Sequence, residues 1–129
     1  MSDQKILHIA LVTKNSEILL TDPLQEQAAY AIKDMCKEKG WGSVSLSIGS
    51  QVAQAELALP VDVQAGVALR EMKKAISDRI FEKNPGLKER QKGHLWSHNS
   101  VLAHSADKLD EKILRAIQYA YPGKHPSIR

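Results

Sequence analysis

The chain has 129 residues, 43% of them hydrophobic and 26% charged, with a formal net charge of +3. That length supports one domain with a real core and not two, and so small a basic excess does not by itself argue for nucleic acid. No apolar run reaches membrane-spanning length, the single cysteine, Cys36, excludes an internal disulfide, and 5% aromatic residues leave little material for an extended base-stacking platform.

Lys5 to Lys14 is almost continuously apolar, which predicts a central strand buried on both faces. After a connector, Asn15 to Leu20, the run Thr21-Asp22-Pro23 supplies a cap residue and a proline for a first helical turn. Leu24, Ala28, Ala31, Ile32 and Met35 then form a helical stripe that runs to Lys39 and stops at Gly40. Trp41 to Ile48 alternates, with Trp41, Ser43, Ser45 and Ser47 on one side and Val44, Leu46 and Ile48 on the other. Gly49-Ser50 is a turn and Gln51 to Leu59 alternates again, so the two runs predict a hairpin that Pro60 ends.

A long helix is predicted over Val63 to Lys83, broken by Asn84-Pro85-Gly86 and followed by a charged loop, Leu87 to Gly93. His94 to His104 reads as a last strand. Asp107 or Asp110 can cap a final helix to about Tyr119, with Leu109, Ile113, Leu114 and Ile117 on its inner side. The tail 122–129 is expected to be irregular. The order strand, helix, strand, strand, helix, strand, helix predicts an α+β, ferredoxin-like fold: an antiparallel four-stranded sheet with helices on one face. The extra C-terminal helix is left to cover the other face or a partner. One domain over 1–129 is expected.

Four segments carry a resemblance. His8-Ile-Ala-Leu-Val-Thr-Lys14 with Ile18 to Thr21, Lys37-Glu-Lys-Gly-Trp41, Leu69 to Arg79 with Met72-Lys-Lys74 and Ser77, and Leu95-Trp-Ser97 come in the order and spacing of one family. Together they are similar to the single-tyrosine HUH transposases, the insertion-sequence and REP-associated tyrosine types. The resemblance implies metal-dependent cleavage and joining of single-stranded DNA. It also implies dimers whose sheets join edge to edge, with the last helix serving the partner's site.

The departures from the family pattern all fall on its chemistry. In the family the second hairpin strand reads close to Asp-His-Val-His-Leu-Leu, and its two histidines hold a divalent metal. The matching run here is Ser50 to Ala55, which puts Gln51 and Ala53 at the histidine positions, and no histidine lies between His8 and His94. The family's tyrosine nucleophile falls on Ala116, with Tyr119 a weak substitute one turn on. A tyrosine attacks phosphorus only when its proton is removed and the phosphate is polarised. No metal, no cofactor and no catalytic residue is therefore expected here. His94, His98 and His104 share the last strand, but a replacement metal site among them is disfavoured.

The leading expectation is thus a cytoplasmic, homodimeric, transposase-like protein that binds structured single-stranded DNA or RNA without cleaving it and does not engage a membrane. Met1 to Lys5 lacks the apolar core of a signal peptide, in keeping with that compartment. Candidate phosphate contacts are Lys14, Lys73, Lys74, Arg79 and Lys92, although Glu71, Asp78, Glu82 and Glu89 are interleaved with them as on an ordinary solvated face. The alternatives are a dimeric scaffold derived from a transposase, and an active single-strand nuclease with a rebuilt site.

Overall fold

The structure, a computed structural model, describes residues 4–14, 20–90, 95–97, 100–104 and 108–120; of Arg90, Tyr119 and Ala120 it describes the backbone alone. The elements in chain order are β1 (Gln4–Val12), α1 (Asp22–Lys39), β2 (Gly42–Ile48), β3 (Val52–Pro60), α2 (Ala65–Lys83), α3 (Pro85–Arg90), β4 (Val101–Ala103) and α4 (Leu109–Ala120). The four strands form one antiparallel sheet in the order β2-β3-β1-β4, the ferredoxin-like arrangement.

Each face of the sheet is covered by different helices, and strand alternation decides which residue meets which. Leu7, Ile9 and Leu11 of β1 with Ala53, Ala55, Leu57 and Leu59 of β3 face α1 and α2, where Ile32, Met35, Met72, Ile76 and Ile80 close a common core. Ala10 and Val12 point the other way and pack with Val101 of β4 and with Ile113 and Ala116 of α4. The C-terminal helix therefore covers the face that α1 and α2 leave bare.

Local signals account for the element ends. Gly40 takes a left-handed φ of 73°, and the amide of Trp41 donates back to the Cys36 carbonyl at 2.8 Å, closing α1. Pro23 sits in the first turn of α1, and the Gln25 amide donates to the Thr21 carbonyl at 2.8 Å; Thr21 makes no side-chain cap bond.

Three expectations need correction. The Trp41–Ile48 alternation is interrupted by a β-bulge between Ser43 and Ser45, which pair with the consecutive residues Leu57 and Glu56. Val44 is the extra, exposed residue, so Ser43 and Ser45 face opposite sides, and Trp41 packs on the α1/α2 core with Leu46 and Ile48. The charged loop after Asn84 begins as the short helix α3, because a proline at a first helical position starts a helix as readily as it ends one. The last strand is not continuous. Trp96 makes an isolated bridge to Thr13, and the β1/β4 ladder is a separate pairing in which Val101 stands opposite Ala10. His94 and His98, like Asp107 and the tail, lie outside the described residues.

Candidate functional site

Antiparallel pairing of β1 with β3 sets opposite one another His8 and Glu56, Ala10 and Gln54, Val12 and Val52. All six belong to the α4 side of the sheet. Across the β2/β3 ladder, Ser45 stands opposite Glu56 and Ser47 opposite Gln54. The α4 side is thus apolar at one end, where Ile113 and Ala116 cover Ala10 and Val12, and polar at the other. At the polar end His8, Ser45, Ser47, Gln54 and Glu56, with Leu109 at the start of α4, line a cavity of about 160 Å³.

This parity bears directly on the paired-histidine centre that the resemblance implies. Ala53 is fully buried in the core with α1 and α2 and cannot present a ligand toward α4. The two consecutive α4-facing positions at this end of β3 are Val52 and Gln54. Neither is an imidazole; valine has no donor and glutamine offers a neutral amide. In either register the residues do not fit a paired-imidazole metal centre. Gln51, half-buried, precedes β3, and its carbonyl accepts from the Thr13 amide at 3.0 Å. Ala116 lies 6% exposed in the apolar contact between α4 and the sheet. The side chain of Tyr119 lies outside the described residues.

The candidate phosphate contacts divide into two groups. Lys14 and Lys73 both meet the Leu95–Ser97 segment: the Lys14 amide donates to the Leu95 carbonyl at 2.9 Å, and Lys73 Nζ reaches the Ser97 carbonyl at 3.5 Å. Burial lowers the pKa of Lys73. In the same segment the indole Nε1 of Trp96 is buried without a hydrogen-bond partner. Lys74 and Arg79 instead line an open groove of about 350 Å³ between α1 and α2. There Lys74 donates to Asp78 at 2.7 Å, and that hydrogen bond raises its pKa, helped by the charges of Asp78 and Glu71. Arg79 donates to Asp34 at 2.6 Å and lies over the Tyr30 ring at 5.8 Å. Four carboxylates (Asp34, Glu38, Glu71, Asp78) offset three cations (Lys39, Lys74, Arg79) in this groove. Lys92 lies outside the described residues.

Sequence reasoning missed the His8–Glu56 contact, in which Nδ1 stands 3.4 Å from Oε1. Both strands were visible, β1 as an apolar run and β3 by its alternation. Their mutual register, which joins residues 48 apart in sequence, was not. Among the described residues no three His, Cys, Asp or Glu side chains cluster as metal ligands, and no helix is long and apolar enough to cross a membrane.

The sequence model of the family described as "Transposase IS200 like" matches residues 2–119. Among solved structures, the chain is similar to a protein from Deinococcus radiodurans R1 assigned as a transposase, with a TM-score of 0.82 and 18% identity over 94% of each chain. It is also similar to a REP-associated tyrosine transposase bound to a REP hairpin, with a TM-score of 0.58 and 13% identity over 88% of this chain and 66% of that one. Identities this low speak for the fold alone. No curated protein sequence matches.

Proposed function

Because the chain belongs to the IS200-like transposase family, we propose that it acts as a transposase-like protein that holds structured single-stranded nucleic acid without cutting it. The observation that carries this reading is the sheet face under α4: Val52 and Gln54 stand on β3, and Ala116 stands on the helix above. A face without paired imidazoles cannot polarise a phosphate as the family's chemistry requires, and an alanine cannot attack one. The core shared by β1, β3, α1 and α2 is meanwhile well buried, in keeping with a chain that still folds.

The binding surface in this proposal runs along Lys14, Lys73 and the Leu95–Ser97 segment, with Lys92 nearby in sequence. Lys74 and Arg79 are secondary, because each is already engaged by a carboxylate. The relative solved with a REP hairpin supports a folded single strand as the ligand class. The protein is also proposed to pair as a homodimer along β4, an edge strand of the sheet.

The test is binding of a fluorescent DNA or RNA hairpin across a salt series, run beside a nicking assay with end-labelled strand and Mn²⁺ or Mg²⁺. The proposal expects salt-dependent binding and an uncut strand. Nicking would establish the rebuilt-nuclease alternative, and absence of binding at low salt would sink the nucleic-acid role. The balanced charge of the α1/α2 groove favours one second reading, a scaffold that docks a protein partner there; it predicts no hairpin binding at any salt.

A further inference from the structure

Lys73 and Lys74 are adjacent in α2, yet the fold gives their amino groups opposite surroundings. The side chain of Lys74 is 68% exposed and donates to the Asp78 carboxylate at 2.7 Å. Lys73 is partly buried, and its Nζ reaches a neutral acceptor, the Ser97 carbonyl, at 3.5 Å. Among the described residues no carboxylate stands within ion-pair distance of Lys73.

That contrast matters for chemistry at nitrogen. An amine attacks an acyl carbon through its free lone pair, so the protonated form is inert. The hydrogen bond to Asp78 holds the proton on Lys74 and raises its pKa, helped by the charges of Asp78 and Glu71. A carbonyl does not discriminate in this way. A neutral amine still donates one N–H to it and keeps its lone pair free. Burial in turn disfavours the charged form of Lys73 and lowers its pKa. At neutral pH Lys73 therefore holds the larger share of free amine.

We propose that Lys73 is an acylation site, at which Nζ takes an acyl group from an acyl phosphate. This donor class suits a basic surface, since it is itself an anion. The nitrogen lone pair forms the N–C bond, the bond from the acyl carbon to the bridging oxygen breaks, and phosphate leaves with the electron pair. One amine proton passes to the phosphate, and the product is a neutral amide. Nothing is oxidised or reduced. The amide carries no charge, so acylation removes the cation from the surface along Lys14, Lys73 and Leu95–Ser97. That consequence rests on the proposed nucleic-acid role; the acylation itself does not.

The experiment treats the full chain with acetyl phosphate for a limited time and maps acetyl-lysine by mass spectrometry, folded and in guanidinium chloride. In the folded chain Lys73 is expected to react about threefold faster or more than Lys74. Access alone predicts the reverse order, because Lys74 is the more exposed. In denaturant the two rates should converge. Asp78→Asn, at an exposed carboxylate, removes the partner of Lys74 and should raise its rate toward that of Lys73. Equal rates in the folded wild type, a faster Lys74, or a preference for Lys73 that persists in denaturant overturns the proposal. Hairpin binding by the same samples reads the consequence. Affinity should fall in step with acetylation of Lys73, and the fall should be smaller in Lys73→Arg, which keeps the charge and takes no acetyl group there. Selective acetylation of a protein that binds no hairpin before treatment would remove the nucleic-acid reading and leave the modification site standing.

Discussion

Gln54 stands directly opposite Ala10 across the β1/β3 ladder, on the side of the sheet that α4 covers, whereas its neighbour Ala53 is sealed in the core with α1 and α2. That one-residue difference in facing decides which substitutions can build a metal centre here. Val52→His with Gln54→His would set two imidazoles on the α4 side and is expected to confer new divalent-metal affinity, measured by calorimetry in an E56Q background that removes the neighbouring carboxylate. Gln51→His with Ala53→His should confer none. It should also lower stability by about 3 kcal/mol or more, because a ring is forced into a filled, apolar site. Equal metal affinity in the two double variants would show the facing to be wrong.

Ala116 sits against Ala10, Val12 and Val101 in the contact between α4 and the sheet. Replacing it with the family's tyrosine should not restore cleavage, since no paired imidazoles face it. The larger side chain should instead overfill the contact and destabilise the fold by about 1–3 kcal/mol, read as a fall in Tm. Metal-dependent nicking by Ala116→Tyr alone would contradict the proposal that this sheet face lacks the groups needed for cleavage.

Lys73 and Lys74 are consecutive in α2 but meet different surroundings. Lys73 reaches toward the Ser97 carbonyl, and Lys74 is tied to Asp78. Lys73→Ala is expected to weaken hairpin binding and to reduce the salt slope by about 0.7, the contribution of one phosphate contact on a single strand. Lys74→Ala and Arg79→Ala should change either quantity little. Fluorescence anisotropy over a salt series separates the three, and an equal loss from Lys74→Ala would place the nucleic acid in the α1/α2 groove.

Cys36, on the inner side of α1, is buried, and that burial raises its thiol pKa above the ordinary 9.0. A raised folded-state value means that the folded chain holds the proton longer than the unfolded one. The thiol's contribution is therefore fully present below pH 9 and is lost as pH climbs through the folded value. Burial lowers the pKa of Lys73, which contributes the opposite slope in the alkaline range. Urea unfolding of wild type and Cys36→Ala should show the wild type losing stability more steeply above pH 9, since Lys73 acts equally on both. Parallel curves would mean that the thiol is not held protonated by the fold.

At the β4 edge, Leu102 is 37% exposed on a strand of three residues. An unguarded edge tends to recruit another strand. Light scattering is expected to give a dimer for wild type and a monomer for Leu102→Lys, which adds a charge at the edge without removing a backbone donor. A monomeric wild type at tens of micromolar protein would remove the proposed pairing.

Much of the architecture was legible from residue order. Gly40 after a helical stripe, the alternating run from Gln51 to Leu59 and the apolar Lys5–Lys14 segment each have one good local solution, and their order admits few topologies. The missing histidine pair is likewise a fact of composition, since nothing between His8 and His94 can supply an imidazole. The bulge at Val44 and the break between Trp96 and Val101 were not legible, because each depends on how many residues the partner strand spends over the same length. Alternation along β3 separates its residues into two sets, but it does not say which set meets α4; that followed only once α1 and α2 occupied the other face. In the same way the meeting of His8 with Glu56 belongs to the β1/β3 register, and the divergence of Lys73 from Lys74 to the turn of about 100° between consecutive helical residues. A linear pattern carries periodicity, and only packing converts periodicity into direction.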